Sequence, residues 1–314
     1  MKKLIWLLVF LLVLFCAGVY IFIPSKLTIT ASTLIAVTDN GADRFITNEN
    51  NWAKWWGYDS LHAASPATGP YLVNGDEFKM EHALYKSASI RIHHKEMELE
   101  SKLSVIPFHI DSTAIEWTSS MATSTNPFTR CMQYIEAKDI KKNMDQVLAS
   151  LNRFLSNNEN VYGTAIEKTS IRDTSFISSK KVFKIYPTTP QIYELIKTIQ
   201  AFAAKNNVKQ TGAPIYNVME IENKQFQLMA AIPVDRTLPD NNSFSSKRMV
   251  RGSFMVTEVV GGEYTVEKAS QSLKQFFNDY RKTSMAINFT MLITDRMLQP
   301  DTSKWITKLY QPVY

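Results

Sequence analysis

Two nonapeptides, FQLMAAIPV (226–234) and WITKLYQPV (305–313), each open on an aromatic residue and close on Pro-Val. Outward from them, the same order of elements recurs. Ahead of the first, SSKKVFKIYP (178–187) reads as a strand, and Pro190 begins a helix whose Ile192, Leu195, Ile196, Ile199 and Phe202 share a face. Asn206, Asn207 and Gly212 stop that helix, and PIYNVMEI (214–221) is the strand before the nonapeptide. Ahead of the second, RGSFMVTEVV (251–260) is a strand and Gly261-Gly262 a turn. Thr265 is the expected cap of a helix carrying Ala269, Leu273, Phe276, Phe277 and Tyr280 on one side, with MAINFTMLI (285–293) as the next strand. Strand–helix–strand–strand therefore occurs twice. Each copy ends on proline, which has no N–H to give to a ladder. If the copies join side by side, their helices cover one face of a common sheet and leave a groove on the other.

The preceding residues read differently. LTITASTLIAV (27–37) is β-branched and alternating, and a short helix follows through Phe45 and Ile46. EFKMEHAL, SASIRIHH, EMELESKLSVI, STAIEWTSSM and RCMQYIEA, between residues 77 and 137, read as antiparallel strands with one wet face. KDIKKNMDQVLASLNRFLSNN then places Ile140, Met144, Val147, Leu148, Leu151 and Leu155 on one helix face. The class is α+β throughout: an α+β unit over 27–160, then the duplicated unit over 161–314.

Residues 1–26 stand apart. Leu4–Ile23 is an uncharged apolar run, about the length that crosses ~30 Å of hydrocarbon as a helix. Lys2 and Lys3 precede it, which predicts a cytoplasmic N-terminus and a body on the periplasmic or extracellular side. A cleaved signal peptide is the rival, but Val19-Tyr20-Ile21 is bulky where a cleavage site wants small residues. Cys16 lies in this run and Cys131 in the body, so no disulfide framework is expected. The formal charge of +6 is spread thinly, without the basic block of a nucleic-acid binder. Phosphate-cradling, dinucleotide, nucleophile-elbow and zinc-protease motifs are missing from the sequence, so neither a cofactor nor a metal is expected.

Gly262-Glu263-Tyr264, Gly212-Ala213-Pro214, Ile232-Pro233-Val234 and Gln311-Pro312-Val313, in their places over 161–314, resemble the gyrase-inhibitor-like (GyrI-like) family, the effector-binding domain of bacterial transcription activators. That resemblance implies two strand–helix–strand–strand units around a cleft for small lipophilic or cationic molecules, with some relatives acting as hydrolases. It also implies a carboxylate shortly before each Pro-Val ending. Here those neighbourhoods are Leu228-Met229-Ala230 and Thr307-Lys308-Leu309, without an acid. Phe45-Ile46-Thr47-Asn48 and Asn51-Trp52-Ala53-Lys54-Trp55-Trp56, with the element order of 27–160, resemble the START-like (SRPBCC, polyketide-cyclase-like) helix-grip family. That likeness implies a curved sheet wrapped round a long final helix over an apolar cavity.

Candidate ligand contacts are Tyr216, Tyr264, Trp305 and Tyr310 as aromatic walls, with Glu220 or Glu222 as a polar contact from one strand face. Core packing and an outer, solvated face are the respective alternatives. Glu258 and Glu263 flank the second turn. Trp52, Trp55 and Trp56 either line a ligand mouth or pack their helix on the sheet. His93 and His94 are adjacent on a strand and point to opposite faces, so one metal ion would not take both. His62, His82 and His109 receive no role. The expected function is a membrane-tethered, non-catalytic binding protein for a small lipophilic molecule, with no nucleic-acid partner and no catalytic residue. The alternatives are a hydrolase or cyclase-like enzyme on such a substrate, and a scaffold with filled cavities.

Overall fold

The computed structural model describes residues 2–57, 70–171, 174–249, 251–284 and 286–313. His62 lies outside them. The chain forms two compact units, Met1–Asn157 and Asn158–Tyr314.

The first unit begins with helix α1 (Lys2–Phe22), whose side chains from Leu4 to Phe15 are largely exposed. Its C-terminal end is fastened to the body. Tyr20 donates its hydroxyl to the Thr125 carbonyl, Val19 and Ile23 are buried, and Arg130 donates to Ile23 O at 2.6 Å with its guanidinium over the Tyr20 ring. There follow β1 (Lys26–Ile35), α2 (Asp39–Ile46), α3 (Trp52–Trp55), β2 (Tyr71–Val73), β3 (Asp76–Leu84), β4 (Ser87–His94), β5 (Met97–His109), β6 (Ser112–Ala122) and α4 (Pro127–Leu155). The strands form an antiparallel sheet ordered β1-β6-β5-β4-β3-β2. Alternation sets its faces: Leu27, Ile29, Ala31 and Ile35 of β1 and Ile115, Trp117 and Met121 of β6 point inward. α4 lies against β1 and buries Ile140, Met144, Val147, Leu148, Leu151 and Leu155, the face read from the sequence. Each such side chain contributes about 1.5–3 kcal/mol.

RCMQYIEA is not a strand. Asn126 caps a helix that starts with Pro127, accepting from Phe128 N at 2.9 Å and Thr129 N at 3.3 Å, so these residues are the early turns of α4.

The three tryptophans pack. Trp52 and Trp55 are fully buried and donate their indole N–H groups to the Ile46 and Phe45 carbonyls at 2.9 and 3.2 Å, supplying donors to the C-terminal turn of α2. Trp56 stacks on Trp52, and Tyr71, Phe78 and Trp117 continue the cluster, filling the inside of the sheet. His93 is exposed and His94 buried, as their adjacency on a strand requires. His94 Nδ1 meets Asp76 Oδ1 at 2.5 Å, and Asn143 of α4 donates to Asp76 Oδ2 at 2.7 Å, so this polar cluster ties helix to sheet.

The second unit contains α5 (Asn158–Tyr162), β7 (Glu167–Ile171), β8 (Thr174–Phe183), α6 (Thr189–Lys205), β9 (Ile215–Ile221), β10 (Gln225–Val234), β11 (Ser245–Met249), β12 (Gly252–Val260), α7 (Glu263–Asp279), β13 (Phe289–Leu292) and β14 (Ile306–Val313). One antiparallel sheet runs β11-β8-β10-β9-β13-β14-β12-β7. Its middle six strands are the repeat, β8-β10-β9 mirrored by β13-β14-β12, with α6 and α7 in matching places. Pro233 pairs with Phe176 of the first strand of its copy, and Pro312 with Phe254 of the first strand of the other. The repeat read from the two nonapeptides is the fold of this unit.

α7 starts at Glu263 behind Gly262, so Thr265 stands inside the first turn instead of capping it. Gly261 precedes it with φ of +140°, and a Cβ there would lie 2.8 Å from Thr265 Oγ1. Only glycine fits.

Candidate functional site

The two faces of the second sheet differ. Ile177, Leu228, Ala230, Ile232 and Val234 point to α6 and form a core with Ile192, Leu195, Ile196 and Ile199. On the other face Phe176, Ile215, Ala231, Phe254 and Phe289 form a second apolar cluster. These residues come in matched pairs. Phe176 and Phe254 oppose Pro233 and Pro312, while Ile215 and Phe289 oppose Ala231 and Tyr310. The second cluster therefore lies where the two copies meet.

A cavity of about 690 Å³ opens over this cluster. Its floor is Phe176, Ile215, Met229, Ala231, Phe254 and Phe289. Its walls come from the sheet's own edges. Lys168 belongs to β7 and Lys247, Arg248 and Met249 to β11, the last strands on either side, so the sheet curls until both edges reach one cavity. The pairing shows how. Ile171 pairs with Gly252 and Thr174 with Met249, three residues later on one side and three earlier on the other, so β7–β12 and β8–β11 share one register. Arg251, Lys282 and Ile287 complete the rim. Five described lining residues are cationic and none is acidic, histidine or cysteine.

A smaller cavity of about 210 Å³ lies between α7 and the sheet, lined by Tyr186, Tyr216, Glu267, Ser270, Thr290 and Tyr310 among others. Tyr193 and Ile196 of α6 are buried, whereas α7 carries Glu267 and Ser270 at the same distances from its start. The shorter or polar side chains leave the space open. Burial pushes the Tyr216 hydroxyl above the usual tyrosine range, against Arg296 and a hydrogen bond with Thr290 that favour the phenolate. Burial raises Tyr310 also.

Of the six residues singled out from the sequence, only Tyr216 and Tyr310 come together in one cavity. Tyr216 and Tyr310 line the smaller cavity, and Tyr310 also stacks on Phe289, with ring centroids 4.8 Å apart. Trp305 is only 9% exposed, donates to Gln299 O at 2.8 Å and lies under the Arg296 guanidinium. Tyr264 is 82% exposed on the first turn of α7. Glu220 is exposed near the end of β9. Glu222 does not share its strand face, because the strand ends at Ile221 and Glu222 begins a 3-10 turn. Glu258 pairs with Lys308 across β12 and β14 at 3.0 Å, and Glu263 accepts from Thr189. None of the six lines the larger cavity. In the sequence, the single phenylalanines on strands that do so look like ordinary core. The usable signal was their matched position in the two copies.

Among the described residues, no group of three or more His, Cys, Asp or Glu side chains is placed to hold a metal ion. No protein-family model and no curated protein matches the sequence. Similarity to several solved structures, the three given next among them, covers 48% of the chain. It reaches the EcmrR C-terminal domain (13% identity, 98% of that chain, TM-score 0.42), SAV2435 bound to tetraphenylphosphonium (13%, 94%, 0.32) and a hydrolase from Listeria innocua (11%, 92%, 0.38). At these TM-scores the functional reading rests on the geometry of this chain itself.

Proposed function

We propose that this chain is a membrane-tethered binding protein that holds a small lipophilic molecule in the larger cavity of its C-terminal unit. One observation carries the reading: a space of about 690 Å³, floored by equivalent apolar residues of two repeats. It falls within the ~300–1,000 Å³ of ordinary small-molecule sites. The arrangement agrees with the expectation drawn from the GyrI-like resemblance, a cleft between two repeated units. Acid–base catalysis would need a titratable pair in the cavity, and the described lining offers neither carboxylate nor imidazole, which favours binding over hydrolysis. The first unit packs the Trp52–Trp117 aromatic cluster on the inner face of its sheet, and in this reading it links anchor and binding unit along the chain.

The test is to purify the full chain in phosphatidylcholine nanodiscs and identify co-purifying small molecules by mass spectrometry. Ala231→Leu and Ile215→Phe, which add volume to the cavity floor, serve as comparison. A compound near one per chain, depleted in both folded variants, supports the reading. Equal recovery from wild type and variants refutes it.

A further inference from the structure

We propose that the ligand of the larger cavity is an amphipathic anion, a single apolar chain on the aromatic floor with its anionic head at the rim. The inference rests on the binding reading above and adds the charge of the ligand. The floor asks for an apolar body, since Phe176, Phe254 and Phe289 offer ring faces and edges and no polar group. The rim asks for a negative head. Lys247 shares a strand face with Met249, which packs on the floor, and pairs in register with Phe176. Arg251 follows where the chain passes from β11 to β12, and Lys282 reaches the same opening from beyond α7. Lys168 and Arg248 add to the same sign.

These cations come from both edges of a curled sheet and from two connections, so folding, not sequence proximity, gathers them. Among the described residues the lining carries one sign of charge, and a concave apolar site of that kind concentrates its field on the opening. Guanidinium and ammonium groups are also the donors that a carboxylate accepts best. A lipophilic cation would meet this rim with the wrong charge.

The experiment uses the full chain in phosphatidylcholine nanodiscs, whose bilayer carries no net charge. Laurate and dodecyltrimethylammonium, equal in chain length and opposite in charge, are equilibrated with wild type, Lys247→Glu/Lys282→Glu and Ala231→Leu. Empty nanodiscs give the bilayer background. Laurate should bind wild type near one per chain, and tighter than the cation by about tenfold or more. Its affinity should fall as salt rises, because the rim is exposed to screening. The double charge reversal should weaken laurate by about tenfold and narrow or invert the preference. Ala231→Leu should weaken both amphiphiles. Equal binding of the two by wild type, or laurate binding indifferent to the charge reversal, overturns the anion assignment. If Ala231→Leu still abolishes uptake in that case, the cavity reading survives alone. Uptake that no variant changes removes both. Circular dichroism and melting of each variant confirm that a folded protein was compared.

Discussion

Tyr216 of β9 pairs with Thr290 of β13, and the two residues hold the same place in their respective copies. Tyr216 opposes Ala230, three residues before Pro233, and Thr290 opposes Leu309, three residues before Pro312. The pseudo-twofold relation between the copies passes through this pair. On the helical side it brings the starts of α6 and α7 together, where Thr189 donates to Glu263. On the other side it brings Ile215 and Phe289 to the cavity floor.

The ladder at this joint is short, with Thr290–Tyr216 and Met291–Ile215 as its paired residues. Asn217 extends it, its amide donating to the main-chain and side-chain oxygens of Asn288, each at 2.9 Å. Asn217→Ala should therefore destabilise the second unit by about 1–2 kcal/mol. Amide exchange in β9 and β13 should quicken more than in β8 or β12. Uniform acceleration over all strands would show that the joint is not the weak seam.

Trp305 and Tyr264 should part company under truncation. Trp305→Ala empties a buried site and strips Arg296 of the ring beneath it, so a loss of about 3–5 kcal/mol is expected. Tyr264→Ala removes a solvent-facing ring and should stay within about 0.5 kcal/mol. Chemical denaturation of both variants checks the pair. A destabilising Tyr264→Ala would mean that its ring is covered in solution.

Tyr193 gives a signed pH dependence. It is buried on α6, its hydroxyl accepting from Arg296 N at 2.9 Å and donating to Thr294 O at 3.2 Å. Burial raises its ionisation above the ordinary tyrosine value of 10.0, outweighing the Arg296 backbone hydrogen bond that lowers it. The unfolded chain then releases this proton first. Stability from Tyr193 is fully present below the unfolded value and is lost as pH rises toward the folded one. Tyr193→Phe should cost about 1–3 kcal/mol at neutral pH, by leaving two backbone groups unpaired. It should also flatten the alkaline decline of stability. An unchanged decline would assign it to other tyrosines.

Much of the fold was legible because its signals are local. The apolar spacing of Ile192, Leu195, Ile196 and Ile199 allows one helix face, and the Pro-Val endings mark two strand ends. RCMQYIEA misled because Cys131, Met132, Tyr134 and Ile135 suit a strand as well as a helix, and the exposure of Met132, Tyr134 and Ile135 on α4 removes the periodic pattern that would decide. The helix start is marked by Asn126, whose side chain caps it, before Pro127. The cavity was not legible. Its walls depend on β7 pairing with β12 and β8 with β11, contacts between segments far apart in sequence. KTSI and SSKRM, from those edge strands, have too little alternation to announce a buried face. Lys247 and Lys282 look like solvated charges until the sheet curls.

The last prediction concerns α1. A helix of about 20 apolar residues spans ~30 Å at 1.5 Å per residue. Here its side chains from Leu4 to Phe15 are largely exposed, while Val19 and Ile23 at the far end are buried in the first unit. An apolar rod of this length in water would be strongly unfavourable, and insertion in a bilayer is the expected way to cover it. Phe128, Met132 and Ile135 of α4 add exposed apolar surface where Phe128 meets Phe15, with ring centroids 5.7 Å apart, which suits the bilayer's interfacial layer. With α1 inserted, Lys2 and Lys3 predict a cytoplasmic N-terminus, and both units should then lie on the other side. With Cys16 and Cys131 changed to serine, a single thiol at Asn242→Cys, an exposed loop position, reports the topology. A membrane-impermeant maleimide should label it in intact cells or, behind an outer membrane, once that barrier alone is opened. The protein should remain with membranes through alkaline carbonate extraction, and Phe128→Glu/Ile135→Glu should not release it, since α1 alone suffices to span. Labelling only after the inner membrane is breached would reverse the orientation. A soluble chain whose first residue lies beyond Ile23 would show that α1 is a cleaved signal and not an anchor.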